Sequence, residues 1–208
     1  MTEEDAATFA RCIAVQGVAV FPADTVYGLA CAPDQPEAVT RLYALKGRPP
    51  DKPAAVMFFA RALALDALPE LSPRTRAALG ALLPGGVTLL LPNPERRFPL
   101  ACGPDPDTLG IRVPDVPALH GVGVPVLQSS ANPAGGADAR RLADVPQALR
   151  DGADLVLDGG ELPGTPSTVI DLRGYESGGT YAIVREGAVA PATIATVLAP
   201  PSSGDLRT

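Results

Sequence analysis

The sequence predicts an α/β (α+β) protein built on a mixed sheet flanked by helices. Short apolar runs recur along the chain. Between them stand stretches with apolar residues at helical spacing, opened by Thr, Asp or Ser and closed by Gly or Pro. The third observation is composition: 46% hydrophobic residues give ample core, and 24 prolines and 21 glycines, spread over 208 residues, imply many tight connections. About eight strands and about six helices follow from the pattern, in an order that fits a sheet with helical cover.

The first helix starts at Thr2, ahead of Glu3, Glu4 and Asp5, carries a stripe of Phe9, Ala10, Ile13 and Ala14, and stops at Gly17. Val18 to Phe21 reads as a buried strand closed by Pro22. Asp34 and Pro36 suit a second helix start, with Val39, Leu42 and Tyr43 on one face and Gly47 at its end. Ala54 to Phe59 is a strand, and Ser72-Pro73 opens a helix to about Leu83. Val87–Leu91, Leu109–Val113 and Val124–Gln128 are strands, with a helical turn at Pro117–His120. Asp144 is expected to cap a helix near Val145–Arg150. Asp154–Leu157, Thr168–Leu172 and Tyr181–Arg185 are late strands, and Ala192–Leu198 a closing helix. One domain over residues 1–200 is expected, with 201–208 as a disordered polar tail.

Several function classes fall away. Nothing reaches 18 uninterrupted apolar residues, and the acidic N-terminus lacks the form of a secretory signal, so a cytoplasmic protein is expected. Cys12, Cys31 and Cys102 have no CxxC spacing and suit neither a disulfide framework nor a zinc site. A net charge of −6 disfavours a broad grip on nucleic-acid backbone. There is no phosphate-loop or dinucleotide fingerprint and no nucleophile elbow. A lone His120 makes both a catalytic triad and a histidine metal site poor bets, so no metal ligand set is expected.

Four polar segments remain. Pro22–Leu29 places Asp24 and Thr25 where a strand opens into a loop. Lys46-Gly47-Arg48-Pro49-Pro50-Asp51-Lys52 holds both lysines of a chain whose other 15 of 17 cationic residues are arginine, and it forms a local anion site. Ser130-Ala131-Asn132 precedes glycines that let backbone approach a ligand. Ser167-Thr168, together with Arg185 at the end of the next strand, suits phosphate or carboxylate. Each segment alone is also compatible with an ordinary loop or surface contact.

Taken in order, Pro22–Leu29, Ala44–Pro49, Leu109–Pro114, Ser130–Asn132, Ser167–Val169 and Arg185–Gly187 resemble the YrdC-like family of threonylcarbamoyl-AMP synthases, over about residues 4–190. The resemblance implies an open twisted α/β sheet with a deep, positively lined cavity. It also implies a reaction of L-threonine, bicarbonate (or CO2) and ATP with accompanying Mg2+, giving threonylcarbamoyl-AMP and pyrophosphate. The product would pass to a separate transferase that modifies tRNA beside the anticodon. Thr25, Arg112, Ser130 and Ser167 match threonine contacts, Arg112 at the carboxylate. Lys46, Arg48, Lys52, Thr108, Asn132 and Arg185 match ATP contacts, with Lys46 and Arg48 also as the catalytic pair. The chain departs from the family pattern at Ala23, where a threonine is usual, at Gly86, where a proline is common, and at Met57, where some members place a histidine. Longer members carry an extra C-terminal domain for which this chain is expected to be too short. The alternatives are a non-enzymatic RNA-binding or ribosome-maturation role on the same fold, and a paralogue with another carbamoylation substrate.

Overall fold

The structure is a computed structural model that describes residues 1–199. Residues 201–208, expected to form a tail, lie outside the described residues. The helices are α1 (Glu3–Ala14), α2 (Pro36–Lys46), α3 (Arg61–Ala67), α4 (Pro73–Leu82), α5 (Pro99–Cys102), α6 (Gln147–Gly152), α7 (Tyr175–Gly178) and α8 (Pro191–Val197). The strands are β1 (Ala19–Pro22), β2 (Tyr27–Cys31), β3 (Ala55–Met57), β4 (Val87–Pro92), β5 (Thr108–Arg112), β6 (Val126–Ser130), β7 (Leu155–Val156), β8 (Thr168–Asp171) and β9 (Ala182–Arg185). They form one nine-stranded mixed sheet in the order β7-β1-β2-β6-β3-β5-β4-β8-β9.

Local chemistry sets several ends as expected. Thr2 caps α1 and exchanges hydrogen bonds with Asp5 in a capping box. Ser72 caps α4, and Gly47 closes α2 in the left-handed region at φ 62°. Two expectations are corrected. Pro22–Leu29 is a hairpin, not a strand followed by a loop: Ala23 N–H donates to Val26 O at 3.3 Å, and β2 runs back antiparallel to β1. Asp144 does not cap α6; it ends a 3-10 turn at Leu142–Asp144 and accepts from the Arg141 N–H, while Pro146 stands at the α6 N-cap.

Alternation along the strands divides the sheet into two faces. On one face Val56, Leu89, Leu91, Leu109, Ile111, Leu127 and Ile170 pack with Leu42 of α2, Ala64 of α3, Leu79 of α4 and Ile194 of α8 in one buried cluster. The opposite face is covered only in part. There α1 lays Phe9 and Ile13 against Phe21, Met57, Phe59 and Val126, and the Phe9 ring meets the Phe59 ring edge-on at 5.5 Å. The rest of that face, over β6, β3, β5, β4 and β8, carries Ala55, Thr88, Gly110, Arg112, Gln128 and Ser130 and lines a cavity. Leaving one face half bare is what makes room for a site.

Candidate functional site

The cavity encloses about 410 Å3, within the usual ~300–1,000 Å3 of small-molecule sites. It lies across the open part of the sheet face, over β6, β3, β5, β4 and β8. Four arginines line it, Arg48, Arg112, Arg173 and Arg185, against two carboxylates, Asp105 and Asp138. An acidic chain of net charge −6 thus concentrates positive charge around one hole.

Arg112, the last residue of β5, is 4% exposed. Its Nη2 donates to Asp24 Oδ1 at 2.8 Å and to Thr25 Oγ1 at 3.1 Å, and its Nη1 to Gln128 Oε1 at 3.5 Å. The β1–β2 hairpin exists here for a purpose: its tip brings Asp24 and Thr25 over a strand four places away in the sheet. Asp24 also accepts from the Asp115 N–H at 3.3 Å, tying the hairpin to the segment after β5. Burial pushes the Arg112 pKa down, and Arg185 adds to that, while Asp24 opposes it. Arg112 Nε is buried without a partner. Such an atom normally finds one, so this guanidinium is unsaturated and faces a cavity.

Lys46, at the end of α2, is 4% exposed and turned toward β6. Its Nζ donates to Ser130 O at 2.5 Å, Asn132 O at 2.8 Å and Asn132 Oδ1 at 2.6 Å, and Ser130 Oγ lies 3.3 Å away. Three N–H donors therefore meet an excess of acceptors, and the ammonium clamps the Ser130–Asn132 turn from behind. Asn132 Nδ2 continues the network to Gly136 O at 2.7 Å and Asp138 Oδ1 at 3.2 Å. Burial first, then the Arg48 charge, push the Lys46 pKa from 10.5 down to about 8, with Asp138 opposing. The sign follows. Below about 8 both folded and unfolded chains hold the proton and the burial cost is present in full; between about 8 and 10.5 only the unfolded chain holds it, so that cost is relieved as pH rises. An anion bound at this network favours the charged amine. Affinity for such an anion should therefore fall as pH rises through about 8, with proton uptake on binding at pH ~8.5. Titration calorimetry in buffers of different ionisation enthalpy reads that uptake, and a value of zero counts against Lys46 as the linked group.

Arg48 is half-buried on the cavity wall. It donates to Ser129 Oγ at 3.3 Å and to Pro53 O, and its guanidinium lies 5.6 Å from the Tyr43 ring centre. Ser167 is 3% exposed; its Oγ meets Thr88 Oγ1 at 2.8 Å and accepts from Arg185 Nη2 at 3.2 Å. Arg185 also donates to Ser167 O at 2.7 Å. Thr108 lines the cavity and accepts from Arg173 Nη1 at 3.1 Å.

Nine of the ten residues expected from the sequence thus fall on the cavity wall or in the networks that hold it. Lys52 stands apart: it is exposed, and it joins through its backbone carbonyl, which accepts from Tyr43 Oη at 3.0 Å. Ala23 and Met57 belong to the packed cluster under α1 and are not wall residues. Asp24 was marked only as part of its segment and without a role, and Gln128, Thr88, Asp138 and Arg173 were not singled out; strand alternation could have flagged Gln128 and Thr88, which share faces with Ser130 and Leu90. His120 is exposed with Asp115 at 3.8 Å, and the three cysteines are free. Among the described residues no group of three His, Cys, Asp or Glu could hold a metal ion, and no helix is long and apolar enough to cross a membrane.

Known proteins resemble this chain in sequence and in fold. The Sua5/YciO/YrdC family profile, described as "Telomere recombination", matches residues 11–187. A threonylcarbamoyl-AMP synthase of Pseudomonas aeruginosa (strain UCBPP-PA14) is 38% identical over 170 residues, which is 78% of this chain and 90% of that protein. One from Chromohalobacter salexigens is 37% identical, over 76% of this chain and 86% of that protein. The crystal structure of P. abyssi Sua5 complexed with L-threonine superposes with a TM-score of 0.84 at 27% identity. It matches 96% of this chain, which spans 58% of that longer one. E. coli YciO superposes with a TM-score of 0.74 at 25% identity, over 91% of this chain and 92% of that one. The chain belongs to the Sua5/YciO/YrdC family.

Proposed function

We propose that this protein is a threonylcarbamoyl-AMP synthase, a nucleotidyltransferase that joins L-threonine, bicarbonate or CO2, and ATP, and releases pyrophosphate, in the service of tRNA modification. The observation that carries the reading is the buried Arg112, unsaturated on a cavity wall that also holds Arg48, Ser130, Ser167 and Arg185. A guanidinium fixed by Asp24 and Thr25 suits a carboxylate, because its planar fork can hold both oxygens. The synthase names of the curated relatives support the same reading over an RNA-binding role.

In this reading the amino acid binds through Thr25, Arg112, Ser130 and Ser167, and ATP through Lys46, Arg48, Lys52, Thr108, Asn132 and Arg185. The amine nitrogen bonds to CO2 and loses a proton, giving a carbamate. A carbamate oxygen then attacks the α-phosphorus as the bond to pyrophosphate breaks. Such a displacement asks for alignment and charge neutralisation more than for a protein nucleophile, which agrees with a wall of Arg, Ser, Thr and Gln. Lys46 and Arg48 form the catalytic pair: Arg48 faces the phosphates, and Lys46 holds the Ser130–Asn132 turn against them. Single carboxylates on the wall, Asp105 and Asp138, fit a Mg2+ carried in on the triphosphate better than one caged by the protein. We place the enzyme in the cytoplasm as one synthase domain over residues 1–200, handing its product to a separate transferase, with direct tRNA contact weak at most.

Pyrophosphate release from ATP and bicarbonate, with and without L-threonine, tests this reading when the adenylate is followed by mass. Threonine-dependent release with the threonylcarbamoyl-AMP mass is expected. Folded protein that releases none with any small amino acid would overturn it.

A further inference from the structure

Gln128 stands on β6, 5% exposed, on the cavity wall between Arg112 and Ser130. On the strand between them Ala55 pairs with Gln128 and Met57 with Arg112, so Gln128 reaches Arg112 on a diagonal past the small Ala55 side chain. The guanidinium has only donors, so the carboxamide atom that faces it, 3.5 Å from Nη1, has to be the oxygen. That fixes the amide orientation and turns Nε2 the other way. A Cβ at Gly28 would stand 3.0 Å from that Nε2, so glycine at this place in β2 leaves the nitrogen its room. Gln128 Nε2 makes no hydrogen bond among the described residues and is not enclosed by protein. It therefore leaves N–H donor capacity unused at the cavity wall.

We propose that Gln128 is a specificity-determining residue that donates a hydrogen bond to the side-chain hydroxyl oxygen of the amino-acid substrate. The proposal rests on the synthase reading for its frame. With the substrate carboxylate on Arg112 and the carbamate near Ser130, the part of the amino acid that faces Gln128 is its side chain. Unpaired amide donors on the wall favour a ligand oxygen there. A ligand that offers a methyl group instead leaves them unpaired in the complex, and that asymmetry is a strong source of discrimination.

The experiment is equilibrium binding of L-threonine and of L-2-aminobutyrate, which has the same carbon chain without the hydroxyl, to the full-length protein. The native chain should bind threonine at least about tenfold more tightly, as unpaired donors predict. Gln128→Met keeps the side-chain length and removes the donors; it should bring the two affinities to within about twofold while ATP affinity holds. Gln128→Leu provides the same test if the methionine variant does not fold. A ratio that survives in the variant, or a native ratio near one, overturns the role of Gln128 and leaves the synthase reading standing. A folded native chain that binds neither amino acid overturns both.

Discussion

Replacing Asp24 with alanine is expected to cost the fold about 3–5 kcal/mol, a large part of the ~5–15 kcal/mol typical of a domain. The ion pair with Arg112 spans 2.8 Å, and its two side chains are 5% and 8% exposed. Removing the carboxylate leaves a guanidinium buried beside Arg185 with no opposite charge close to it, and its Nε already lacks a partner. Denaturant unfolding measures the loss. Arg112→Met in the Asp24→Ala background should restore much of it, since the uncompensated charge and not the missing methylene and carboxyl contacts carries the cost. L-threonine binding should vanish in both variants. An Asp24→Ala midpoint within error of the native protein would mean that water reaches Arg112 freely, and the account of a buried, oriented guanidinium would fail.

What could be read from the sequence was mostly what is decided locally. Thr2 with Asp5, Ser72 and Gly47 mark helix ends because a cap is set by a residue and its neighbours three or four positions away. The second strand of the hairpin was missed for a physical reason. Tyr27–Cys31 is buried along its whole length, so it shows no alternation, and the turn before it contains neither Gly nor Asn. The site divides in the same way. Its motif residues were legible as polar groups beside apolar runs, but Gln128, Thr88 and Arg173 were not, because alternation sorts residues onto two faces without saying which face stays bare. That is settled by α1, which covers one end of the face and leaves the other open. Arg173 depends further on β8, β4 and β5 lying side by side, which brings it to Thr108 from 65 residues away.

Among the four wall arginines the charges are not equally free, and this ranks their expected effects on ATP. Arg173 is answered by Asp171 at 2.6 Å and Asp105 at 3.6 Å. Arg112 is answered by Asp24. Arg48 and Arg185 are anchored by neutral oxygens, Ser129 Oγ and Pro53 O for one and Ser167 O for the other. Their charge is therefore available to a polyphosphate without first breaking an ion pair. Loss of a charge-assisted bond to phosphate is worth about 1.5–3 kcal/mol, so Arg48→Ala should lower kcat/KM for ATP by about 10- to 150-fold. Arg185→Ala should fall in the same range. Arg173→Ala should change it only a few-fold, because the charge it removes is already neutralised within the protein. Threonine affinity measured without ATP should hold in Arg48→Ala, which separates loss of a phosphate contact from collapse of the wall. Steady-state kinetics with ATP varied gives the order directly. An Arg48→Ala enzyme with native kcat/KM, or one less affected than Arg173→Ala, would show that the triphosphate lies elsewhere in the cavity.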